Sequence, residues 1–205
     1  MAERQRTQRR ERDATDAGRR VVAGNARKRV PEPAPAKLRI GVISDTHGYL
    51  DPEVLEIFAG VAHIIHAGDV MDAEILTALE SVAPVTAVAG NLDTGQSARL
   101  PREVTGEIEG ISFVVGHKPK RLLKRLATGK YDLEGGRRPD LVVWGHLHTP
   151  TASWIDGSLY LNPGTAASPE EEDDGPTVAI VAVGPHGLSV LFVPLERRVT
   201  DEAPR

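Results

Sequence analysis

The sequence predicts an α/β domain of two packed sheets, partly parallel and partly antiparallel, with helices outside. Three observations carry this expectation. In the first half, β-branched apolar stretches alternate with short amphipathic ones, the pattern of right-handed parallel crossovers. In the second half, apolar stretches come in pairs across tight glycine turns, the pattern of antiparallel hairpins. Finally, several of the apolar stretches stop abruptly in short polar clusters, and strand C-terminal ends are where open α/β sheets place ligands.

Residues 38–44 are rich in apolar and β-branched side chains and read as the first strand, ending at Asp45-Thr46-His47-Gly48. Asp51-Pro52 opens a short helix, with Asp as cap and Pro at its first position, and Val54, Leu55, Ile57 and Phe58 on one side. A second strand over 62–66 ends at Gly68-Asp69, and Asp72 caps a helix that carries Ile75, Leu76 and Leu79. A third strand over 84–89 ends at Gly90-Asn91. Residues 104–108 and 111–115 form a hairpin across Glu109-Gly110, and a helix over 118–128 begins with Pro119. Residues 141–144 make a short buried strand ending at Gly145-His146, with Trp144 assigned to the core. Two further hairpins pair 151–155 with 159–161 across Asp156-Gly157, and 177–183 with 188–193. The acidic run 170–174 reads as a loop between them.

Composition narrows the chemistry. With 40% hydrophobic and 26% charged residues, the 205-residue chain can build a core, and none of its apolar runs is long enough for a membrane span. The arginine-rich N-terminus lacks the apolar segment of a secretory signal. The absence of cysteine excludes disulfides, zinc–thiolate sites and a cysteine nucleophile, and it fits a cytoplasmic protein. Any bound metal must be held by His, Asp, Glu or Asn.

The net charge of −4 is uneven: residues 1–36 carry ten Arg/Lys and five Asp/Glu, and residues 37–205 carry fifteen and twenty-four. Residues 1–36 also hold few large apolar side chains and end in Pro31, Pro33 and Pro35, so a disordered basic extension with a Pro/Ala linker is expected, followed by a domain over 37–205. The extension is read as solvated. Binding of nucleic acid is its functional alternative.

Each polar cluster alone is an ordinary turn or loop histidine. Together, Asp45, His47, Asp69, Asn91, His117, His146 and His148 supply two carboxylates, one amide and four imidazoles, and Gly68, Gly90, Gly116 and Gly145 each directly precede one of them. Those glycines are expected to let the backbone turn sharply at the sheet edge. Such a donor set suits a pair of divalent cations, with Mn, Fe, Zn or Ni favoured over Ca or Mg. Two such ions can activate a bridging water, which attacks phosphorus as hydroxide, and can neutralise the phosphoryl oxygens.

Ser44-Asp45-Thr46-His47-Gly48, Gly68-Asp69-Val70-Met71-Asp72, Gly90-Asn91-Leu92-Asp93, Gly116-His117 and Gly145-His146-Leu147-His148 resemble the five ordered motifs of calcineurin-like metallophosphoesterases. The short chain and the segment Leu161-Asn162-Pro163-Gly164-Thr165 resemble the small YfcE-type phosphodiesterase branch. The resemblance implies a four-layer α/β/β/α sandwich of two mixed sheets and a di-metal centre, with Mn the first choice of ion. It places Asp45, His47 and His148 on one metal, Asn91, His117 and His146 on the other, and Asp69 between them. Asp69, Asn91, His117 and His146 are thereby the expected catalytic set, and Asn91 and Lys118 are expected to meet the substrate phosphate. His66 is expected to orient Asp69.

One position departs from the pattern. Many relatives carry His directly after the Asn of the third motif, as a general acid or phosphate contact, and this chain has Leu92. Asp93 then becomes a structural carboxylate. Without that acid, esters with good leaving groups are favoured, and activated diesters fit better than alkyl monoesters. The small branch often lacks this His too.

The expected activity is therefore a metal-dependent phosphodiesterase acting on a small-molecule phosphoester, with a homo-oligomer allowed by the resemblance. Alternatives are a phosphomonoesterase, a nuclease aided by the basic extension, or a binding module on the same fold, as in the retromer scaffold subunit. The basic residues Lys118, Lys120, Arg121, Lys124, Arg125 and Lys130 are read as a solvated helix face over inward Leu122, Leu123 and Leu126, with Lys118 the exception because it adjoins His117.

Overall fold

In a computed structural model, residues 38–129, 131, 133, 136–167 and 175–196 are described. The basic extension 1–36, Lys130 and the acidic run 170–174 lie outside the described residues.

The strands are β1 (Leu38–Ile43), β2 (His63–His66), β3 (Val85–Ala87), β4 (Glu103–Ile108), β5 (Ile111–Gly116), β6 (Leu141–Val143), β7 (Thr151–Ile155), β8 (Ser158–Asn162), β9 (Thr177–Gly184) and β10 (Gly187–Pro194). The helices are α1 (Glu53–Ile57), α2 (Ala73–Glu80) and α3 (Pro119–Ala127), with a 3-10 turn at Ser97–Arg99 that the sequence reading did not anticipate. One sheet has the order β10-β9-β1-β2-β3 and the other β4-β5-β6-β8-β7. The first is parallel across β1-β2-β3 and antiparallel across β1-β9-β10. The second is parallel across β5-β6-β8 with an antiparallel strand at each edge.

Period-two alternation sorts the apolar side chains into layers. Ile40 and Val42 of β1 join Ile65, Phe113, Val115, Leu141, Val143, Leu159, Leu161, Ala179 and Val181 in a core between the sheets. Ile43 and Ile64 face the other way, onto Val54, Phe58, Ile75 and Leu79 of the α1 and α2 layer. Gly41 sits beneath the Phe58 ring, where an added Cβ would lie 3.0 Å from two ring carbons. On the far side, Val114 and Val142 pack on Leu122 of α3. The result is the α/β/β/α sandwich. Leu123, assigned inward, is exposed, because the inward stripe of α3 runs through Leu122 and Leu126.

Capping follows the residue types. Asp72 Oδ1 accepts from the Glu74 N–H at 2.9 Å, and Asp51 Oδ1 accepts from Glu53 N–H at 2.9 Å. Both hairpin turns Glu109-Gly110 and Asp156-Gly157 have positive φ at both positions, the primed turn that suits twisted strands. Trp144 does not join the central core. It is half-buried, 6.3 Å from the Tyr160 ring, on the outer α3 side of its sheet. Among the described residues no helix is long and apolar enough to cross a membrane.

Candidate metal centre

The parallel strands carry the polar clusters to one place. Asp45 follows β1, Asp69 follows β2, Asn91 follows β3, His117 follows β5 and His146 follows β6. Backbone bonds lock the turns together: His47 N–H donates to Asp69 O at 3.1 Å, Gly48 N–H to Val70 O at 3.0 Å, and Gly145 N–H to His117 O at 3.2 Å. Residues 163–167 lie beneath the first turn. Ala166 N–H donates to Ser44 O, Ala167 N–H to Asp45 O, and the Thr165 hydroxyl to Asp45 O at 3.0 Å.

The glycines before the ligand-type residues act mainly through size. Gly68 alone of the four has positive φ, at +101°. At Gly90 an added Cβ would collide with Asp69 Oδ1, and at Gly145 with the Ser44 hydroxyl. The sharp turning falls instead on the ligand-type residues themselves: Asp45, His47, Asp69, His146 and His148 all have φ between 47° and 72°. Left-handed backbone in non-glycine residues is costly and gathers at functional sites.

Two donor groups result. Asp45, His47 and His148 form one, and Asp45, Asp69 and His117 the other, each with ligand atoms within 4.8 Å of one another. Asp45 Oδ1 lies 3.6 Å from both His47 Nε2 and His148 Nε2 and 4.0 Å from His117 Nε2. Asp69 Oδ2 lies 3.2 Å from His117 Nε2 and 4.0 Å from His47 Nε2. Both carboxylates, rather than Asp69 alone, thus stand between the imidazoles. Asn91 and His146 are exposed. His146 sits with its ring 5.2 Å from that of His117, and its backbone N–H donates to Asp45 Oδ2 at 3.0 Å. Asn91 is bracketed by Gly90, whose N–H goes to Asp93, and Leu92, whose N–H goes to Asp69 Oδ1 at 2.7 Å.

The remaining partners are specific. Ser44 donates to Asp45 Oδ2 at 2.6 Å, and Asp93 accepts Met71 N–H and Gly90 N–H, each at 2.7 Å, tying the second and third turns together. His66 does not reach Asp69. Its Nδ1 accepts from Gly68 N–H and its Nε2 meets the Thr46 hydroxyl at 3.1 Å, so it ties the Thr46 side chain of the first turn to the backbone of the second.

Electrostatics favours cations. Burial alone would raise the Asp45 carboxyl, but the imidazoles of His148 and His47 and the Ser44 hydroxyl hold it well below the usual carboxylate range. Asp69 is likewise lowered against its burial, by His117 and the Leu92 N–H. His117 is raised, because Asp69 and Asp45 outweigh its desolvation. Burial, then His117 and Lys118, lowers His146. Asp45 Oδ1, His47 Nε2 and His117 Nε2 are buried atoms with no hydrogen-bond partner. Three orphaned polar atoms converging on one spot are what a cation site requires and what a purely structural cluster would avoid. The donor set fits divalent ions with a taste for mixed nitrogen and oxygen ligands.

Two further features surround the centre. Tyr49, Met71, Leu92 and Leu147, each within two residues of a ligand-type residue, are large apolar side chains 44–55% exposed. A cleft of about 220 Å³ beside His117 is lined by Arg102, Lys118 and Arg121, with Gly90 and Glu103. Of these cations the sequence reading singled out only Lys118. Arg102 belongs to no motif, and Arg121 looked like one more exposed helix position.

Known proteins resemble this chain in sequence and in fold. A probable metallophosphoesterase of Methanothermobacter thermautotrophicus is 36% identical over 152 residues, covering 70% of this chain and 85% of that protein. A phosphodiesterase of Methanocaldococcus jannaschii is 28% identical over 147 residues, 62% of this chain and 83% of its own. Among solved structures, a predicted phosphoesterase from Streptococcus pneumoniae superposes with a TM-score of 0.61 at 25% identity, covering 78% of this chain and 91% of that one. The model of the calcineurin-like phosphoesterase superfamily domain matches residues 38–185. The chain belongs to the calcineurin-like phosphoesterase superfamily.

Proposed function

We propose that the protein is a metal-dependent phosphodiesterase. In this reading Asp45, His47 and His148 would hold one divalent cation, His117 with Asn91 and His146 from the rim would hold a second, and Asp69 would contribute to both. The observation that carries it is the convergence of the three orphaned atoms, Asp45 Oδ1, His47 Nε2 and His117 Nε2, on one buried spot. Manganese is the first choice of ion, with iron, zinc, nickel or magnesium as alternatives. Bound divalent cations would supply a water nucleophile acidified toward neutral pH and would neutralise the phosphoryl oxygens.

The chain's own residues do the rest. Asp45 and Asp69 stay ionised, and the Nδ1–H of His117 is directed at Ala67 O, which leaves Nε2 as the donor atom. Asn91 and Lys118 face the substrate phosphate, and His66 and Asp93 fix the turns that carry the ligands. A diester is favoured over a monoester on two grounds. Leu92 offers no proton to a poor leaving group, and a diester brings a second organic arm for which the apolar rim of Tyr49, Met71, Leu92 and Leu147 is suited. The phosphodiesterase of Methanocaldococcus jannaschii supports the same preference.

The test is hydrolysis of bis(p-nitrophenyl) phosphate by the purified chain with added Mn²⁺, compared with p-nitrophenyl phosphate. Faster diester cleavage, lost on chelation and restored by Mn²⁺, is expected. Cleavage that survives complete chelation overturns the proposal.

A further inference from the structure

The cleft beside His117 borders the metal centre, and its cationic side chains are not among the proposed metal ligands. Arg102, Lys118 and Arg121 line it, and Glu103 is the acidic residue of its wall. Glu103 is already spoken for. It pairs with Arg121 Nε at 2.8 Å and Arg125 Nε at 2.9 Å, and it accepts the Tyr131 hydroxyl at 2.9 Å. Its charge therefore cannot also neutralise Lys118 and Arg102, and the cleft keeps a net positive field.

Position and size add to this. Arg102 is turned toward the third motif, with Nη1 3.5 Å from Gly90 O. Lys118 is the N-terminal cap of α3, whose first turn contains no acidic side chain, so the positive end of the helix dipole opens at the cleft. Gly90 and His117 form the wall shared with the metal centre. At about 220 Å³ the cleft is smaller than the ~300–1,000 Å³ typical of small-molecule pockets, and it suits a compact anionic headgroup better than a ring system.

We infer that this cleft is a second anion subsite, and that the preferred substrate is a phosphodiester carrying a further terminal phosphate, bound by Arg102 and Arg121 while the scissile diester sits at the metal centre with Asn91 and Lys118. The inference rests on the diesterase reading for its hydrolytic consequence. Its binding consequence is independent of that reading.

The probes are dithymidylate and the same dinucleotide carrying a 5′ or a 3′ terminal phosphate. With Mn²⁺, kcat/KM for the better phosphorylated form should exceed that for plain dithymidylate by about tenfold, the worth of one or two charge-assisted contacts. Arg102→Gln and Arg121→Gln should each pull that ratio toward one. Arg125→Gln, which touches Glu103 from outside the cleft, should lower the ratio less than either. A ratio of one or below in the natural chain, or a ratio moved equally by all three variants, overturns the inference.

Equilibrium dialysis in the presence of chelator separates the two readings. Metal-free protein should bind the phosphorylated dinucleotide more tightly than the plain one, and Arg102→Gln should abolish the difference. If neither dinucleotide nor bis(p-nitrophenyl) phosphate is hydrolysed, the diesterase reading has failed; if only the activated diester is cleaved, the missing general acid accounts for it, and in both cases dialysis alone decides. A phosphate-dependent affinity lost in Arg102→Gln upholds the subsite, and equal affinities overturn it.

Discussion

His117 presents Nε2 to Asp69 Oδ2 at 3.2 Å while its Nδ1 stands 2.8 Å from the carbonyl oxygen of Ala67. A carbonyl oxygen only accepts, so Nδ1 carries the proton and the Nε2 lone pair is turned toward a carboxylate. Two acceptors face each other in a buried place, and a proton or a cation must lie between them. The Ala67 carbonyl and the Asp69 carboxylate come from the same β2 turn, so one segment sets both the tautomer of His117 and the anion opposite it.

Replacing that anion is the direct test of its role. Asp69→Asn keeps the shape and the acceptor for Leu92 N–H but removes the charge. Altering groups that merely support a metal ligand costs roughly 10–100-fold, so losing a shared ligand should cost about 100-fold or more in Mn²⁺-dependent diester hydrolysis. Elemental analysis should show less bound metal. Undiminished metal content together with full activity would remove Asp69 from the centre.

Size, not backbone freedom, is the reason for glycine at position 90. A methyl group there would collide with Asp69 Oδ1 and its backbone nitrogen. Gly90→Ala should cost about 1–3 kcal/mol, as overpacking does, and should also impair metal binding, since Asp69 must shift. Gly95→Ala is the control. It has φ +59° and nothing within 4 Å, so it should show only a backbone penalty of about 1 kcal/mol, with metal content unchanged. Urea titrations read both, and equal effects on metal binding would refute the steric account.

His66 gives the fold an acid-sensitive point. Burial pushes its ring down to about 4 from an ordinary 6.5. The Gly68 N–H already occupies Nδ1, so a second proton would set two donors against each other. The unfolded chain takes up that proton near pH 6.5 and the folded chain only near pH 4. Stability is therefore full above about pH 6.5 and falls as the pH drops toward 4, by up to about 3 kcal/mol. His66→Asn retains an acceptor for Gly68 N–H and cannot titrate. It should lower stability at neutral pH yet flatten the pH dependence across that window. Parallel wild-type and variant curves in chemical denaturation would dismiss the role assigned to His66.

Much of this was readable from residue order, and the failures share a physical form. Strands β1, β2 and β6 and the caps Asp51 and Asp72 follow from short-range preferences, so periodicity and side-chain chemistry located them. The five polar clusters were legible because parallel strands must deliver their C-terminal ends to one edge. What sequence order could not express was contact between segments distant in the chain. His66 meets Thr46 and Gly68 rather than the Asp69 carboxylate, and Asp45 joins both donor groups, through separations that no spacing rule encodes. Arg102 reaches the cleft from the start of β4, and Arg121 from a helix face that looks like ordinary solvated charge. The steric purpose of Gly90 and Gly145 is equally invisible without their neighbours.

Leu92 offers a gain-of-function test. Its backbone is pinned to the centre by the bond to Asp69 Oδ1, while its side chain is 47% exposed at the rim. Leu92→His would place an imidazole of ordinary pKa, near 6.5, beside the leaving group without disturbing that anchor. General-acid assistance is typically worth ~10²–10⁴-fold when well aligned, and an unrefined graft should realise about tenfold of it. The gain should fall on p-nitrophenyl-free alkyl monoesters, whose leaving oxygen needs a proton. It should be small for bis(p-nitrophenyl) phosphate, whose leaving group does not, and it should fade as the pH rises through the imidazole pKa. Equal acceleration of both ester types, or none on the alkyl esters at pH 6, would show that Leu92 does not govern leaving-group preference.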